Sequence, residues 1–264
     1  MRNILITGQN SYVGTNLKKY LSKWPDKYTV DAISVRDDEW KKKDFSLYDV
    51  IYHVAAVVHK KEKPGMKSFY DRVNKDLPIE VAIKAKNEGI KQFIFMSTMA
   101  VYGEDGNLGK DVVISGDTLV NPKSYYGESK LLAETSLNKL NDDKFKVVVL
   151  RPPLIYGPNC TGNYARLEKL ALNFPIFPMI DNQRSMLHID KLSEYVKGYI
   201  DERAEGLFLP QDNEYVNTSL LVKKIAVDNG KKMYLSYILG SLVRVICKRF
   251  NIVKKVFGNL VYEK

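Results

Sequence analysis

"ILITGQNSYVG", residues 4–14, decides how the rest of the chain is read. A short apolar run ends in Thr7 and Gly8, and a helical pattern takes over from Tyr12 to about Ser22. A strand that ends on glycine turns tightly, and a helix opening behind it aims its backbone N–H groups and the positive end of its dipole into the turn. Such a turn holds an anion, typically a dinucleotide diphosphate. Thr7, Gly8, Ser11, Tyr12, Val13 and Gly14 are therefore candidate cofactor-binding residues. Gly8 permits the turn and Gly14 permits close packing of helix on sheet, but Ser11 stands where a middle glycine is expected. Serine is a good helix N-cap, so the turn survives, with a side chain expected to crowd or hydrogen-bond the diphosphate.

Outward from this loop, strands and helices alternate. "YTVDAISV" reads as a second strand, "DVIYHVAA" as a third, "QFIFMS" as a fourth and "FKVVVLR" as a fifth. Residues 68–88 read as a helix, with Pro78 kinking it or bounding its first turn. The near-continuous apolar character of the third strand suits a strand covered on both faces. The alternation predicts an α/β fold with a doubly wound parallel sheet. After "RPPLIYGPN" the pattern changes, and helical segments near 164–173 and 189–202 mix with short pieces such as "GLFLP" and "MYLSY". The expected division is a dinucleotide-binding domain over 1–155 and a smaller substrate-binding lobe mainly over 156–264, interleaved with the first.

In such sheets ligands bind outside the carboxyl ends of the strands. Ala55 and Ala56 end the third strand with small side chains, against which a flat or sugar-bearing ligand can lie. His53 reads as a packed strand residue. Arg36 and Asp37 end the second strand side by side; an acid there holds ribose hydroxyls and an arginine accommodates a 2′-phosphate, so NAD and NADP stay open. Asn74 is expected to face the cofactor from its helix.

The fourth strand ends "FIFMSTMAVYG", which puts Ser97 and Thr98 at the same edge. The next helix begins near Tyr126 and carries Lys130 four residues on, so phenol and ammonium share a face. An ammonium close to a phenol favours the phenolate, and a phenolate brought toward neutral pH takes a proton from an alcohol while hydride leaves the same carbon. Thr98 would hold that oxygen. A Tyr-x-x-x-Lys pair by itself is common; its occurrence in order with the strand-one turn, "HVAA" and "STMAVYG" is specific.

At these residues the chain resembles the extended short-chain dehydrogenase/reductase family, in its NAD-dependent nucleotide-sugar epimerase/dehydratase branch with UDP-glucose 4-epimerase-like members. The matching pieces are "ILITGQNSYVG", "DVIYHVAA", "VNKD", "FIFMSTMAVYG", "YYGESKLLAE", "LRPPLIYGPN" and "RSMLHIDKL". The resemblance implies a Rossmann sheet, NAD or NADP as cofactor, and Thr98, Tyr126 and Lys130 as the catalytic triad. It implies that Gly8, Gly14, Ala55, Asn74, Lys130 and Pro153 line the cofactor. It also implies that a substrate loop starts at Asn159–Asn163, with Asn163 on the substrate, and that Arg184 contacts the substrate's diphosphate. The implied activity is oxidation and reduction at C4 of a nucleotide-linked, UDP-type hexose. An epimerase leads; a 4-keto-sugar-nucleotide reductase for deoxysugar or surface polysaccharide synthesis is the alternative, and a non-catalytic dinucleotide-binding regulator a remote one, disfavoured because tyrosine and lysine are both present. About a dozen residues join strands two and three, fewer than the family's usual helix needs.

Composition narrows the classes further. The chain has 264 residues, 45% of them hydrophobic and 27% charged, with a net charge of +10. Its lysines are scattered, so no nucleic-acid partner is expected. Two cysteines and three histidines suggest neither a disulfide framework nor a metal site. The first apolar run is too short for a signal-peptide core, which predicts a cytoplasmic protein. The tail "LGSLVRVICKRFNIVKKVFGNLVYEK" is basic and apolar, similar to that of bacterial 4-keto-sugar-nucleotide reductases. Residues 241–256 read as one amphipathic helix with Arg244, Lys248, Arg249, Lys254 and Lys255 outward; packing on the small lobe is the expectation, membrane-surface contact the alternative. A homodimer is a family expectation.

Overall fold

The computed structural model describes residues 1–58, 62–246 and 250–264; Lys248 and Arg249, expected outward on the tail helix, and one each of the histidines and cysteines counted above, His59 and Cys247, lie outside the described residues. In the first half the elements are β1 (Arg2–Thr7), α1 (Tyr12–Leu21), β2 (Tyr28–Ile33), β3 (Val50–His53), α2 (Lys67–Asp71), α3 (Leu77–Asn87), β4 (Gln92–Met96), β5 (Val113–Ile114) and α4 (Tyr125–Asn138). The second half has β6 (Lys146–Leu150), β7 (Leu154–Tyr156), α5 (Asn163–Asn173), β8 (Ile176–Pro178), β9 (Met186–His188), α6 (Ile189–Asp201), β10 (Gly206–Phe208), α7 (Thr218–Asp228), β11 (Tyr234–Ser236), α8 (Tyr237–Ile246), α9 (Asn251–Phe257) and β12 (Val261–Tyr262).

The chain forms two compact units. The first comprises Met1–Gly103, Val120–Pro152 and Ile189–Pro210. Its core is a parallel sheet in the order β10-β6-β4-β3-β1-β2. Inner strands of such a sheet are apolar on both faces because helices cover both. Accordingly every residue of β3 and β4 is buried. Leu5, Ile51, Phe93, Phe95, Val147 and Val149 pack with Val81, Ala82 and Ala85 of α3 and Ala133 and Leu137 of α4. The strand order reverses direction between β1 and β3, and the crevice at that switch point is where ligands bind in open parallel sheets.

The second unit comprises Glu104–Leu119, Pro153–His188 and Gln211–Lys264. Three two-stranded parallel ladders, β7 with β9, β8 with β11 and β5 with β12, surround a core of Leu167, Ala171, Phe177, Val222, Ile225, Ala226 and Phe257. The expected boundary at 155 is thus crossed in both directions. α6 and β10, expected in the small lobe, belong to the first unit, where β10 adds the sheet's edge strand by pairing with Val148–Leu150. Conversely, 104–119 belongs to the second. A strand of three residues is too short to show a period, so only its pairing reveals it.

Two helices also differ from their expected form. The segment read as one helix over 68–88 is α2 and α3 joined by a π-helical turn at Arg72–Asp76, with Pro78 in the first turn of α3, where its missing N–H costs nothing. The tail read as one helix over 241–256 is α8 and α9, and it closes with β12 laid beside β5.

Candidate active site

The turn after β1 is built as its glycines demand. Gly8 has φ +120°, and a Cβ there would stand 2.9 Å from the Ala55 backbone N. Glycine therefore lets the end of β1 lie directly against the end of β3, where the Val54 and Ala55 N–H groups both donate to the Thr7 carbonyl at 3.0 Å. A Cβ on Gly14 would come within 2.6 Å of Ser11 Oγ and 2.8 Å of Ile6 Cγ2, so the first turn of α1 touches the sheet because it has no side chain there. Ser11 is the N-cap: its Oγ accepts the Gly14 N–H at 3.1 Å. The hydroxyl expected to crowd or bond a diphosphate is turned back onto its own helix. The first turn of α1 holds no acid and its last turn holds Lys18 and Lys19, so its N-terminus keeps its positive dipole end. A glycine cradle that a Cβ would fill, at the sheet's switch point and under a helix N-terminus, fits a dinucleotide diphosphate. Tyr12 and Val13 flank this cradle and are half-buried.

Other expected cofactor residues differ from their assigned roles. Thr7 is fully buried and its hydroxyl hydrogen-bonds His53 Nδ1 at 2.8 Å, so only its backbone serves the turn. His53 is the packed strand residue expected, stacked with Phe93 and Phe95, and burial holds its imidazole down to about 3. Asn74 is also fully buried: Oδ1 accepts the Val57 N–H at 2.8 Å, while Nδ2 donates to the Val57 carbonyl at 3.0 Å and to Ser129 Oγ at 3.3 Å. Its amide clamps Val57, in the segment that follows Ala55 and Ala56. The π-turn supplies the orientation, since Asn74 sits at its centre. Arg36 is exposed, whereas Asp37 is engaged as the cap of a 3-10 turn, accepting the Glu39 N–H at 3.2 Å. Pro153 is buried directly after β6 and lies in the second unit, as do Asn163, exposed at the start of α5, and Arg184.

The triad residues converge in the first unit. Ser124 caps α4 by accepting the Gly127 N–H at 3.0 Å, and the Glu62 carboxylate accepts the N–H groups of Tyr125 and Tyr126, each at 3.0 Å. Gly127 lies where a Cβ would meet the Ala100 carbonyl at 2.7 Å. This close approach presses α4 onto the turn after β4 and brings Tyr126 beside Thr98. Lys130 is 1% exposed; its Nζ donates to the Met96 carbonyl at 2.7 Å and lies over the Phe95 ring.

The electrostatics differ from the expectation that Lys130 acidifies Tyr126. Burial pushes the phenol up to about 12, against the lowering effect of the Thr98 hydrogen bond. Burial likewise pulls the Lys130 ammonium down to about 7, opposed by the Glu134 carboxylate. The lysine is held toward the strand, on Met96, so in the chain alone desolvation outweighs attraction.

Beneath the triad lies a buried polar network that sequence reasoning missed. Glu134 receives Nε of Arg151 at 3.1 Å to both oxygens and Nη2 at 2.6 Å; it also accepts the Ser97 hydroxyl, and Arg151 Nη1 donates to the Tyr102 hydroxyl at 2.9 Å. Ser97 is thereby committed to Glu134, leaving Thr98 beside Tyr126. A signal was present: Tyr126, Lys130 and Glu134 recur at four-residue spacing on one helix face.

Arg184, expected on the substrate's diphosphate, lies in the second unit. Its Nη1 donates to the Gly258 carbonyl at 2.8 Å, with those of Asp105 and Lys254 at 3.4 Å, and burial lowers the guanidinium to about 10. Through Nη1 it ties the end of α9 to the 184–188 segment.

A glycine turn of this kind, in one unit with a phenol and an ammonium, suits the class of enzymes that move a hydride and a proton with a bound dinucleotide. Within that class, residues 4–196 match the family model described as "NAD dependent epimerase/dehydratase family", and the chain belongs to that family. It is an enzyme of this kind, with NAD or NADP as cofactor. A UDP-glucose 4-epimerase of Vibrio cholerae is 31% identical over 86% of this chain and 75% of its own length. An N-acetyl-alpha-D-glucosaminyl-diphospho-ditrans,octacis-undecaprenol 4-epimerase of Escherichia coli O157:H7 is 27% identical over 97% and 81%. Among solved structures, a UDP-glucuronic acid 4-epimerase from Bacillus cereus superposes with a TM-score of 0.72 at 20% identity, covering 99% of this chain and 89% of its own. A dTDP-4-dehydrorhamnose reductase from Clostridium acetobutylicum gives 0.71 at 21%, covering 89% and 82%. Both share the fold. Among the described residues no helix is long and apolar enough to cross a membrane.

Proposed function

We propose that the protein is a 4-epimerase of a UDP-linked hexose, with Thr98, Tyr126 and Lys130 as its catalytic residues. The observation that carries the reading is the gathering of these three residues at the carboxyl edge of β4, with Lys130 Nζ on the Met96 carbonyl and Tyr126 beside Thr98. The names of the two relatives above support the choice of C4 and of a sugar carried on a diphosphate. The glycine turn after β1 and the Ala55–Ala56 strand end would hold the dinucleotide, which supplies a hydride acceptor that returns what it takes.

In this reading the Thr98 hydroxyl positions the C4 oxygen, and Tyr126 Oη takes the proton from it as the carbon–hydrogen bond breaks. Tyr126 must ionise to do so, and burial alone opposes that. Lys130, one turn further along the same helix, is the group whose charge favours the phenolate. The 4-keto sugar then turns over before Tyr126 gives the proton back, so the reaction has no net redox change. Incubating the purified protein with UDP-glucose, UDP-N-acetylglucosamine and a 4-keto-6-deoxy sugar nucleotide tests this. Interconversion of C4 epimers without net change in nicotinamide absorbance supports it; stoichiometric consumption of reduced nicotinamide by the keto sugar makes the protein a reductase instead.

A further inference from the structure

Helix α8 is amphipathic with its apolar side turned outward. Gly240 faces inward, so close to the Met179 carbonyl that a Cβ would stand 1.9 Å from it. That contact fixes the helix rotation. On the opposite face Ile238, Leu242 and Val245 are exposed, at 76%, 48% and 80%. Residues at i, i+4 and i+7 share a helix face, so Ile238, Leu242 and Val245 form one stripe. Phe250 and Ile252, shortly downstream, are exposed as well. Singly exposed apolar residues are ordinary; a contiguous stripe on one helix marks a surface that meets something.

Charge identifies the partner. Between Asp228 and Glu263 the sequence carries seven cations, Lys231, Lys232, Arg244, Lys248, Arg249, Lys254 and Lys255, and no acid. Arg244 lies on α8 itself and is exposed. Lys255 has a neighbouring acid in Asp105 at 3.7 Å, yet both remain more than two-fifths exposed. A second copy docking by the same face would set this cationic segment against itself, since a two-fold interface repeats one surface on both sides. An anionic surface with an apolar interior satisfies both features. An exposed aliphatic stripe within a segment rich in cations and without acids is the pattern of a helix that lies in the plane of a lipid interface.

We infer that the outward face of α8, the stripe of Ile238, Leu242 and Val245, docks the enzyme onto an anionic lipid bilayer. The helix lies in the headgroup region and does not span it. The inference rests on the exposed stripe and its charge, independently of which sugar the enzyme turns over.

The test is co-sedimentation of the full chain with phosphatidylglycerol-containing vesicles, against pure phosphatidylcholine vesicles, at low and high salt. Binding is expected to the anionic vesicles, falling about tenfold or more on neutral ones and with added salt. The triple variant Ile238→Ser, Leu242→Ser, Val245→Ser should lower partitioning about a hundredfold. Arg244→Glu should lower it roughly thirtyfold through two units of charge. Both should leave the melting transition and turnover of a soluble sugar nucleotide unchanged. The inference is overturned if the intact chain stays in the supernatant with anionic vesicles, or if both variants sediment like wild type. It is also overturned if sedimentation equilibrium without lipid shows a dimer that the serine variant dissociates while vesicle binding is absent, since the face would then join copies of the chain.

Discussion

Replacing Glu134 by alanine should cost the first unit about 3–5 kcal/mol of stability, the range for removing one partner of a buried ion pair. The structure gives the reason. Side-chain exposure of Arg151 and Glu134 is 10% and 4%, and their closest atoms are 2.6 Å apart. Without Glu134 the buried guanidinium loses the carboxylate that takes its Nε and Nη2. The Ser97 hydroxyl loses its acceptor too, but it shares the same carboxylate, so the two effects do not add. Trp24 and Trp40 both belong to the first unit, so tryptophan fluorescence during urea unfolding reports on that unit. The double variant Glu134→Ala, Arg151→Met should recover most of the loss, because it removes both charges and fills the space with an apolar chain. A loss below about 1 kcal/mol in the single variant, or a double variant no more stable than the single, would refute the reasoning.

Tyr126→Phe should bind cofactor nearly as the wild type does and lose turnover by about a hundredfold or more, measured under saturating substrate; retained turnover removes the mechanism. Lys130 carries a pH signature: its ordinary value is 10.5 and its folded value about 7, so between them the unfolded chain holds a proton the folded chain lacks. Stability from this group therefore rises as pH climbs from about 7 toward 10, and is lowest below pH 7, where the buried ammonium is charged. Lys130→Met should abolish that climb in urea midpoints taken across the range, and an unchanged slope would contradict it. Arg184→Ala should loosen the C-terminal strand, with faster hydrogen exchange at Leu260 and Val261; unchanged protection there would deny the arginine its tie to Gly258. Arg36→Asp should weaken NADP binding about tenfold or more while NAD changes little, and equal effects on both would show that Arg36 does not meet a 2′-phosphate.

The sequence by itself determined what depends on near neighbours. The glycine at residue 8 and the serine at 11 specify a turn and a cap through a few adjacent bonds, so the phosphate-type loop was legible from eleven letters. Tyr126 and Lys130 share a helix by spacing alone, and the apolar runs of β3 and β4 announce a sheet covered on both sides. What only the tertiary structure decided is which polar groups are already spent. Thr7 and Asn74 looked available for a ligand, and each side chain is bonded to a partner elsewhere in the chain, His53 for one and Val57 with Ser129 for the other, while Arg184 gives one nitrogen to Gly258. The shifts of Tyr126 and Lys130 were likewise set by burial between α4 and β4, which outweighs the attraction that spacing suggests. Desolvation and hydrogen-bond satisfaction depend on everything packed around a group, and that surrounding is assembled from segments a local reading cannot bring together.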